Sequence, residues 1–354
     1  MNWTQKFLKH LLYILLIFGF IFSLPVLASN QPVTEEKAKD EKFVAGKFII
    51  DHIKDSHDWH ILTKKNGEHV AVYLPVILYS NKSGLHFFMS SKLAHGHEYN
   101  GFKYSEETGK IVERSESGES ESYPLDFSIT KTVAGMMLAA VVILFLFLRM
   151  GIYYSRTKNL VPKGFNGFLE PMIVFIRDEI AIPNIGHHKF ERFMPYLLTA
   201  FFFILINNIM GLIPFFPFGA NVTGNIAVTM VLALLTFLIT QFSGTKDHWK
   251  HVFATPGVPV WLAPIMIPVE LIGLVSKPFA LMIRLFANIT AGHIVVLSLV
   301  SLIFIFKALW VSSVSIPMVL FIDILEILVA FLQAYVFTLL SALFIGLAAK
   351  EHHA

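Results

Sequence analysis

The sequence contains no cysteine, and only 15% of its 354 residues are charged. The absence of cysteine excludes disulfide bonds, thiol nucleophiles and metal sites built on thiolates. Lysine and arginine are dispersed and the formal net charge is only +3, so the clustered basic surface of a nucleic-acid-binding protein is absent. The sequence also lacks a Gly-x-x-x-x-Gly-Lys-Ser/Thr phosphate loop and a His-Glu-x-x-His zinc motif, which argues against nucleotide and zinc-peptidase chemistry.

Apolar residues are abundant: they make up 55% of the chain, and the mean hydropathy is +0.63. This composition is typical of a protein that lies in a bilayer. Apolar runs long enough to cross or line a membrane, where the backbone has to be helical, cover 132–148, 196–213, 222–242, 258–306 and 316–349. The sequence therefore predicts an all-α polytopic membrane protein.

The fourth run is ambiguous, because it has about 50 residues where an upright crossing takes about 20. From length alone it is either a helical hairpin or one tilted, bent helix. Basic residues concentrate between the first two runs and after the third, which places those loops in the cytoplasm. Five passages, with the amino terminus exported and the carboxyl terminus in the cytoplasm, agree with this charge pattern.

Residues 1–28 are typical of a signal peptide that is cleaved, because Lys6 and Lys9 precede an apolar run that ends in small residues. An uncleaved first membrane helix is the alternative. Residues 29–128 turn polar and strand-like, with a hairpin signal at Asn100-Gly101, and predict a small β-leaning extension outside the membrane. The run 113–122, rich in Glu and Ser, is interpreted as its solvated linker, and residues 129–354 as the membrane domain.

Ionisable and amide residues interrupt the last two runs. Those of the fourth run that share one helix face are Glu270, Lys277, Arg284 and Asn288, whereas His293 projects from the opposite face. The last run carries Asp323, Glu326 and Gln333 within about 80° of arc. Such residues are costly against lipid and mark ion pathways, so two polar stripes on consecutive segments predict a protonatable conduit.

Structural explanations stay open for most of these residues. Lys277 and Glu270 pair at the membrane boundary if the lysine snorkels. In the structural explanation, Asn288 and Gln333 form hydrogen bonds between helices, and His293 and Glu326 form a buried pair. Arg284 is different, because it lies among Leu, Ile and Phe well away from either end of its run.

With these residues in view, residues 130–349 resemble the a subunit of F-type ATP synthases. The most specific match is the block 276–292, with Ser-Lys-Pro, then Arg-Leu-Phe, then an Asn and a Gly. Further matches, in the family's order, lie at 208–214, 221–223 and 333–337.

The resemblance assigns roles to single residues. It implies that Arg284 is the family's essential arginine, Gln333 the glutamine near it, and Asn288 the polar position one turn further on. His293 and Glu326 are implied to relay protons, with acid and histidine exchanged relative to many bacterial members. The accessory candidates are Glu270, Lys277 and Asp323. Gly211 stands where some members carry Asp, which puts an acidic group there in doubt.

The resemblance also implies a proton-translocating stator subunit that gives access half-channels to the carboxylates of a rotor c-ring. Its expected partners are that ring, the peripheral-stalk b subunits, the rest of the complex and the lipid bilayer, in a bacterial inner membrane. No catalytic residue, cofactor or metal is expected. Two long tilted helices, hence five passages, and an amphipathic cytoplasmic segment near 165–180 are implied as well.

Two other functions are alternatives. A secondary transporter or antiporter also needs charges near the middle of the membrane, but it normally shows internal repeats, which this sequence does not. A metal site is conceivable at His57/His60 or at His95/His97 in the extension.

Overall fold

The computed structural model describes residues 45–63, 69–105, 108–114, 121–156, 164–213, 216–253, 260–306 and 308–350. The predicted signal peptide at 1–28 lies outside the described residues. The described chain begins with a strand-containing extension and continues into a bundle of apolar helices. This division agrees with the predicted polytopic membrane protein that carries a β-leaning extension.

Besides a 3-10 helix at Ser90–Gly96, the described part of the extension consists of one α-helix and several short strands. They are α1 (Ala45–Ile53), β1 (Asp58–Thr63), β2 (His69–Tyr73), β3 (Pro75–Ser80), β4 (Gly84–Met89), β5 (Phe102–Ser105), β6 (Lys110–Arg114), β7 (Glu121–Ser122) and β8 (Leu125–Asp126). The strands pair antiparallel in three small sheets, ordered β1-β2, β4-β3-β8 and β5-β6-β7. Val76, Leu78, Phe88 and Phe102 form the core between the second and third sheets.

The predicted turn at Asn100-Gly101 is confirmed. Both residues have positive φ, 52° and 79°, which a two-residue hairpin turn requires and which Asn and Gly tolerate. Tyr99 and Phe102 on either side exchange two backbone hydrogen bonds of 2.9 Å. Strand β5 therefore begins directly after this turn, at Phe102.

The interpretation of 113–122 as a solvated linker is wrong at both of its ends. Glu113 is buried in β6, and its carboxylate accepts hydrogen bonds from the hydroxyls of Ser80, Ser83 and Ser122. Residues Glu121 and Ser122 pair with β6 as β7. A composition rich in Glu and Ser indicates solvation only when no neighbouring strand supplies donors, and here two strands do.

The helices of the membrane domain follow. They are α2 (Lys131–Arg156), α3 (Phe165–Phe175) continuing through a π-helical turn (Ile176–Ala181) into α4 (Ile182–Ile185), α5 (Phe190–Leu212), α6 (Ile226–Phe242), α7 (Lys246–Phe253), α8 (Ala263–Phe306) and α9 (Leu309–Ala349). Within the described chain, four helices are long and apolar enough to cross a membrane, or five if α6 and α7, bent by 105°, count as one span. The segment expected near 165–180 is helical.

The long fourth run is one continuous helix of 44 residues, so the hairpin alternative is wrong. At 1.5 Å per residue α8 is about 66 Å long, roughly twice the hydrocarbon thickness, and it has to tilt or project from the bilayer. The last helix starts earlier than the predicted run at 316–349, because α9 begins at Leu309 and includes Pro317. Proline is tolerated inside apolar helices, where neighbouring groups satisfy the freed carbonyl.

The third run becomes a helix later than predicted. Residues 221–225 form a turn, and α6 starts at Ile226 with the Asn225 side chain accepting the amide of Ala227. In that turn the Asn221 carboxamide accepts the Gly224 amide at 3.1 Å, and a side chain on Gly224 would overlap Asn221. Glycine at this position therefore lets the turn close.

The extension is attached to one end of the helix bundle, which we call the extension side. Asp55 accepts the backbone amide of Thr132 at 2.9 Å and caps the first turn of α2, where helix amides lack intrahelical partners. Trp59 donates from Nε1 to the carbonyl of Phe218, at 3.1 Å, and packs edge-on against Phe216. The turn between α5 and α6 and the start of α2 thus lie under the extension.

The opposite end, which we call the basic side, gathers the segments rich in Lys and Arg. Lys189 donates to the carbonyl of Ala349 at 2.9 Å, and the Thr245 amide donates to that of Ala348 at 3.0 Å. Gly346 lies against the backbone of Asn184, so α4 packs closely on the end of α9. The loops predicted to share the cytoplasmic side therefore meet at one end of the bundle.

Candidate functional site

The two longest helices, α8 and α9, pack against each other as an antiparallel pair. Two observations give their register: His293 and Glu326 line the same cavity, and Lys277 Nζ lies 5.8 Å from the ring centroid of Phe344. Arg284 falls between His293 and Lys277 on α8, and Gln333 falls between Glu326 and Phe344 on α9. With a rise of 1.5 Å per residue, both lie about 10–14 Å below the His293–Glu326 level, at about the same depth.

The cavity towards the extension side, which we call the upper cavity, is small and partly polar. Its lining residues are Asn208, Leu212, Asn288, Ile289, His293, Glu326, Val329 and Ala330. The Oε1 atom of Glu326 is buried and makes no hydrogen bond with the described residues. A buried carboxylate oxygen facing a polar cavity is available for proton exchange.

Glycine lets the Glu326 carboxylate reach this position. A Cβ on Gly292 would overlap Glu326 Oε1, so α9 presents its carboxylate directly to the backbone of α8. A Cβ on Gly211, by contrast, would lie 3.8 Å from His293 Nε2, in ordinary contact. His293 therefore lies next to Gly211, the position where the resemblance left an acidic group in doubt.

Polar side chains connect the upper cavity to the turn under the extension. Asn208, which lines the cavity, accepts a 2.5 Å hydrogen bond from Thr223 and donates to the carbonyl of Ala330 at 3.4 Å. Asn221, two residues before Thr223, has a buried Nδ2 without a hydrogen-bond partner among the described residues. In the sequence, Asn208, Asn221 and Thr223 stand out only as parts of segments that match the family. The signal that could have indicated a role is that two of them are amides within or next to apolar runs.

A second and larger cavity, which we call the lower cavity, opens towards the basic side and has a volume of about 760 Å³. The polar residues that line it are Thr236, Thr240, Gln241, Asp247, His248, Lys250, His251, Glu270, Lys277 and Lys350. Glu270 Oε1 lies 3.7 Å from His251 Nδ1, whereas Lys277 extends over the Phe344 ring. The alternative in which Glu270 pairs with Lys277 is therefore wrong, and the partner of Glu270 is His251 on α7, which the spacing of residues along α8 does not reveal.

Arg284 lies at the level that separates the two cavities. It is exposed on the bundle and has no ion-pair partner within the part of the chain that the structure describes. Gln333, at the same depth, is buried with 7% of its surface exposed. An exposed guanidinium halfway along a membrane helix is costly unless a partner carries negative charge.

The remaining predicted residues have separate positions. Asn288 lines the upper cavity, although helical spacing grouped it with Arg284. Asp323 lies one turn before Glu326 on α9, half-buried and outside the lining of either cavity. The side chain of His57 bonds Asp126 at 2.9 Å, and those of His60 and His95 are outside the described set. Among the described residues no group of three or more His, Asp or Glu is arranged to hold a metal.

Comparison with known proteins gives two family matches. A family model described as ATP synthase A chain matches residues 133–346, and one described as a domain of unknown function (DUF8433) matches residues 48–127. The chain is thus similar to one family over most of its membrane domain, and its extension is similar to a separate family.

Individual relatives agree with the first match. ATP synthase subunit a of Chloroherpeton thalassium is 52% identical over 233 residues, 64% of this chain and 69% of that protein. The subunit a of Anaeromyxobacter sp. is 47% identical over 252 residues, 69% of this chain and 60% of that protein. That of Myxococcus xanthus is 50% identical over 237 residues, 65% of this chain and 76% of that protein.

Proposed function

The chain belongs to the ATP synthase A chain family, and we propose that its two cavities are separate access paths by which protons reach and leave a rotor at Arg284. The observation that carries the proposal is the order along the α8–α9 pair: upper cavity, then Arg284 with Gln333, then lower cavity. A continuous pore would need no cation between its two halves. Two access paths that are separated by a fixed positive charge fit a mechanism in which a moving partner carries the proton from one path to the other.

The partner that Arg284 requires is a carboxylate on each subunit of a rotor c-ring. Such a carboxylate is neutral while it faces lipid, because a charge there is expensive. Beside Arg284 its pKa falls and it releases its proton, since a nearby cation favours the ionised form. Arginine suits this role because it stays protonated where lysine can lose its proton.

The same positive charge repels a proton that would pass directly from one cavity to the other. Protons therefore cross only when they are bound to the turning ring. Each elementary charge that crosses 100 mV contributes about 2.3 kcal/mol, so several protons have to be combined for one ATP. The chain itself has no catalytic residue or cofactor in this proposal, and phosphoryl chemistry occurs on another subunit.

His293 and Glu326 hand protons between the extension side and the ring. Both line the upper cavity, and Asn208 and Thr223 extend a polar connection towards the extension. Imidazole and carboxyl groups are the usual proton-transfer groups in proteins. On the other side, Glu270, Lys277 and His251 line the lower cavity through which protons leave or enter.

The orientation follows from the charge pattern. The basic side faces the cytoplasm by the positive-inside rule, the extension lies outside, and the membrane is the bacterial inner membrane. Five passages fit this orientation when α6 and α7 are counted as one. Peripheral-stalk b subunits complete the stator that holds this chain against the ring. No observation in the structure favours the transporter alternative.

The test is ATP-driven proton pumping into vesicles that contain the whole complex, with Arg284→Ala compared with wild type at matched assembly. We expect pumping to vanish, because the ionised rotor site loses its counter-charge. Arg149→Ala is the matched control, since Arg149 is also an exposed arginine on a membrane helix but lies on α2. Pumping at the normal rate in the assembled Arg284→Ala complex would contradict the proposal.

A further inference from the structure

The sheet β4-β3-β8 of the extension is apolar on both faces. One face packs on the neighbouring sheet through Val76, Leu78 and Phe88, which are 0–5% exposed. The side chains of the other face, which we call the open face, are Tyr79, Leu85, Phe87, Met89, Leu125 and Phe127. An antiparallel sheet with one face in water normally carries polar side chains on that face.

The open face is continuous across all three strands. Tyr79 pairs with both Leu85 and Leu125, and Ile77 pairs with Phe87. Leu85 and Phe87 are 70% and 72% exposed, and the other four side chains are between 37% and 44% exposed. Contiguous exposed apolar surface of this kind marks an interaction site.

The position of the open face indicates what covers it. The strand pairing continues past β8, because the amides of Phe127 and Ile129 donate to the carbonyls of Ile77 and Pro75 at 2.9 and 3.1 Å. The apolar span of α2 begins at Lys131, only two residues after Ile129. The edge strand of the open face therefore leads directly into a membrane helix.

Chain length sets the distance to the bilayer. Lys131 comes four positions after Phe127, and four residue steps span at most about 14 Å. The headgroup layer on each side of the hydrocarbon is about 5–8 Å thick. Phe127 thus lies in or next to the headgroups, and Phe87 lies two strands away on the same open face, because both residues pair with Ile77.

The extension is held at this height. Asp55 and Ser56 bond the first amides of α2, and Trp59 bonds the turn between α5 and α6, so the sheet cannot lift away from the bundle without breaking these contacts. Below this attachment α2 carries Met137, Val141 and Phe145, which are 56%, 62% and 60% exposed. The first of them comes six residues after the start of α2, so exposed apolar side chains of the helix begin close to the end of the edge strand of the open face.

We propose that the open face lies on the bilayer and inserts Leu85, Phe87 and their neighbours into the headgroup layer of the leaflet on the extension side. Aromatic and large aliphatic side chains favour this interfacial region. The extension thereby acts as a monotopic anchor that fixes the outer end of α2 and the turn above the upper cavity relative to the membrane surface.

The test places an environment-sensitive fluorophore, NBD, on the open face of the whole complex. The chain has no cysteine, so Phe87→Cys provides one labelling site on it once the thiols of the other subunits are removed. The matched control is Lys103→Cys, an exposed position on β5 in the other sheet. Both complexes are reconstituted in vesicles of phosphatidylcholine and phosphatidylglycerol, with or without phosphatidylcholine that carries a nitroxide near the headgroup.

We expect the nitroxide lipid to reduce emission about twofold at position 87 and to leave position 103 unchanged, because only the former lies among lipids. An equal change in emission at the two positions on adding the nitroxide lipid would overturn the proposal. A label at 87 that is protected from aqueous iodide but not quenched by the nitroxide lipid would also overturn it, because a protein would then cover the face. If Phe87→Cys does not assemble, Leu85→Cys on the same face is measured instead.

Discussion

Two carboxylates held away from solvent, one in the extension and one in the membrane helices, have opposite surroundings. Glu113 accepts hydrogen bonds from three serine hydroxyls at 2.6, 3.1 and 3.2 Å. Glu326 faces a cavity that it shares with His293 and leaves Oε1 unbonded among the described residues. The first carboxylate is saturated with donors and the second is not.

This difference separates a structural acid from the acid that we propose to transfer protons. The hydroxyl of Ser80, helped by Ser83 and Ser122 and opposed by burial, holds the pKa of Glu113 below its ordinary value of about 4.5. Its charge is therefore fixed at neutral pH and joins β3 to β6. A carboxylate with a free oxygen in a polar cavity can change protonation without breaking the fold, as a relay requires.

The largest effect on transport, within this comparison, is expected when the upper cavity loses both titratable groups. Replacing His293 and Glu326 together by Ala should slow ATP-driven proton pumping at least about tenfold, because positioned proton-transfer groups typically contribute a hundredfold or more. The rotor should stay attached, since Arg284 is untouched. Pumping is measured in vesicles at matched assembly.

The control for that experiment is Asp323→Asn, which removes a carboxylate one turn away on the same helix but outside the cavity lining. We expect a much smaller loss there. Unchanged transport in the double variant, or equal losses in both, would remove the upper cavity from the pathway.

A smaller effect is expected from moving the Glu326 carboxylate without removing it. Gly292→Ala puts a Cβ where Glu326 Oε1 lies, so the carboxylate has to rotate away from α8. Pumping should fall severalfold and recover in part when Glu326→Asp shortens the side chain, because contacting residues show coupled effects. Gly273→Ala is the matched control, since its Cβ meets nothing within 4 Å on the same helix. Additive losses in the double variant would show that the two residues are not coupled.

Much of the membrane site was predictable from the sequence. The period of the α-helix places Arg284 and His293 on opposite faces of one run, and the roles that the resemblance implies for them stay predictions. The order of the cavities could not be predicted, because it depends on the register between α8 and α9. That register follows from contacts such as Lys277 with Phe344, which neither helix encodes alone.

Partners from other elements were missed for the same reason. His251 reaches Glu270 from α7, and Thr223 reaches Asn208 across the turn before α6. In the extension, the hairpin at Asn100-Gly101 was predictable because two adjacent residues specify it. The burial of Glu113 was not, because its donors come from β7 and from the β3–β4 hairpin, 9 to 33 residues away.

The smallest effect on transport, and a clear effect on stability, is expected at the structural carboxylate. Glu113→Gln should leave pumping unchanged but reduce the free energy that protects the extension against opening by about 1–3 kcal/mol at pH 7, because hydrogen bonds to a charged group are lost. Hydrogen exchange of the β3 and β6 amides in the intact complex measures this, expressed as protection factors. Glu98→Gln is the control, since Glu98 forms only an exposed pair with Arg114, worth about 0–1 kcal/mol.

The pH dependence distinguishes a charge effect from a packing effect. Because the pKa of Glu113 is lower in the folded extension than in the unfolded chain, its contribution is fully present above about pH 4.5 and disappears as pH falls through the folded value. Wild type and Glu113→Gln should therefore converge in protection as the pH falls from about 4.5 through the lower pKa that Glu113 has in the folded extension. A difference that stays constant over this range would mean that the glutamate stabilises the extension by its shape, and the contrast with Glu326 would then not rest on charge.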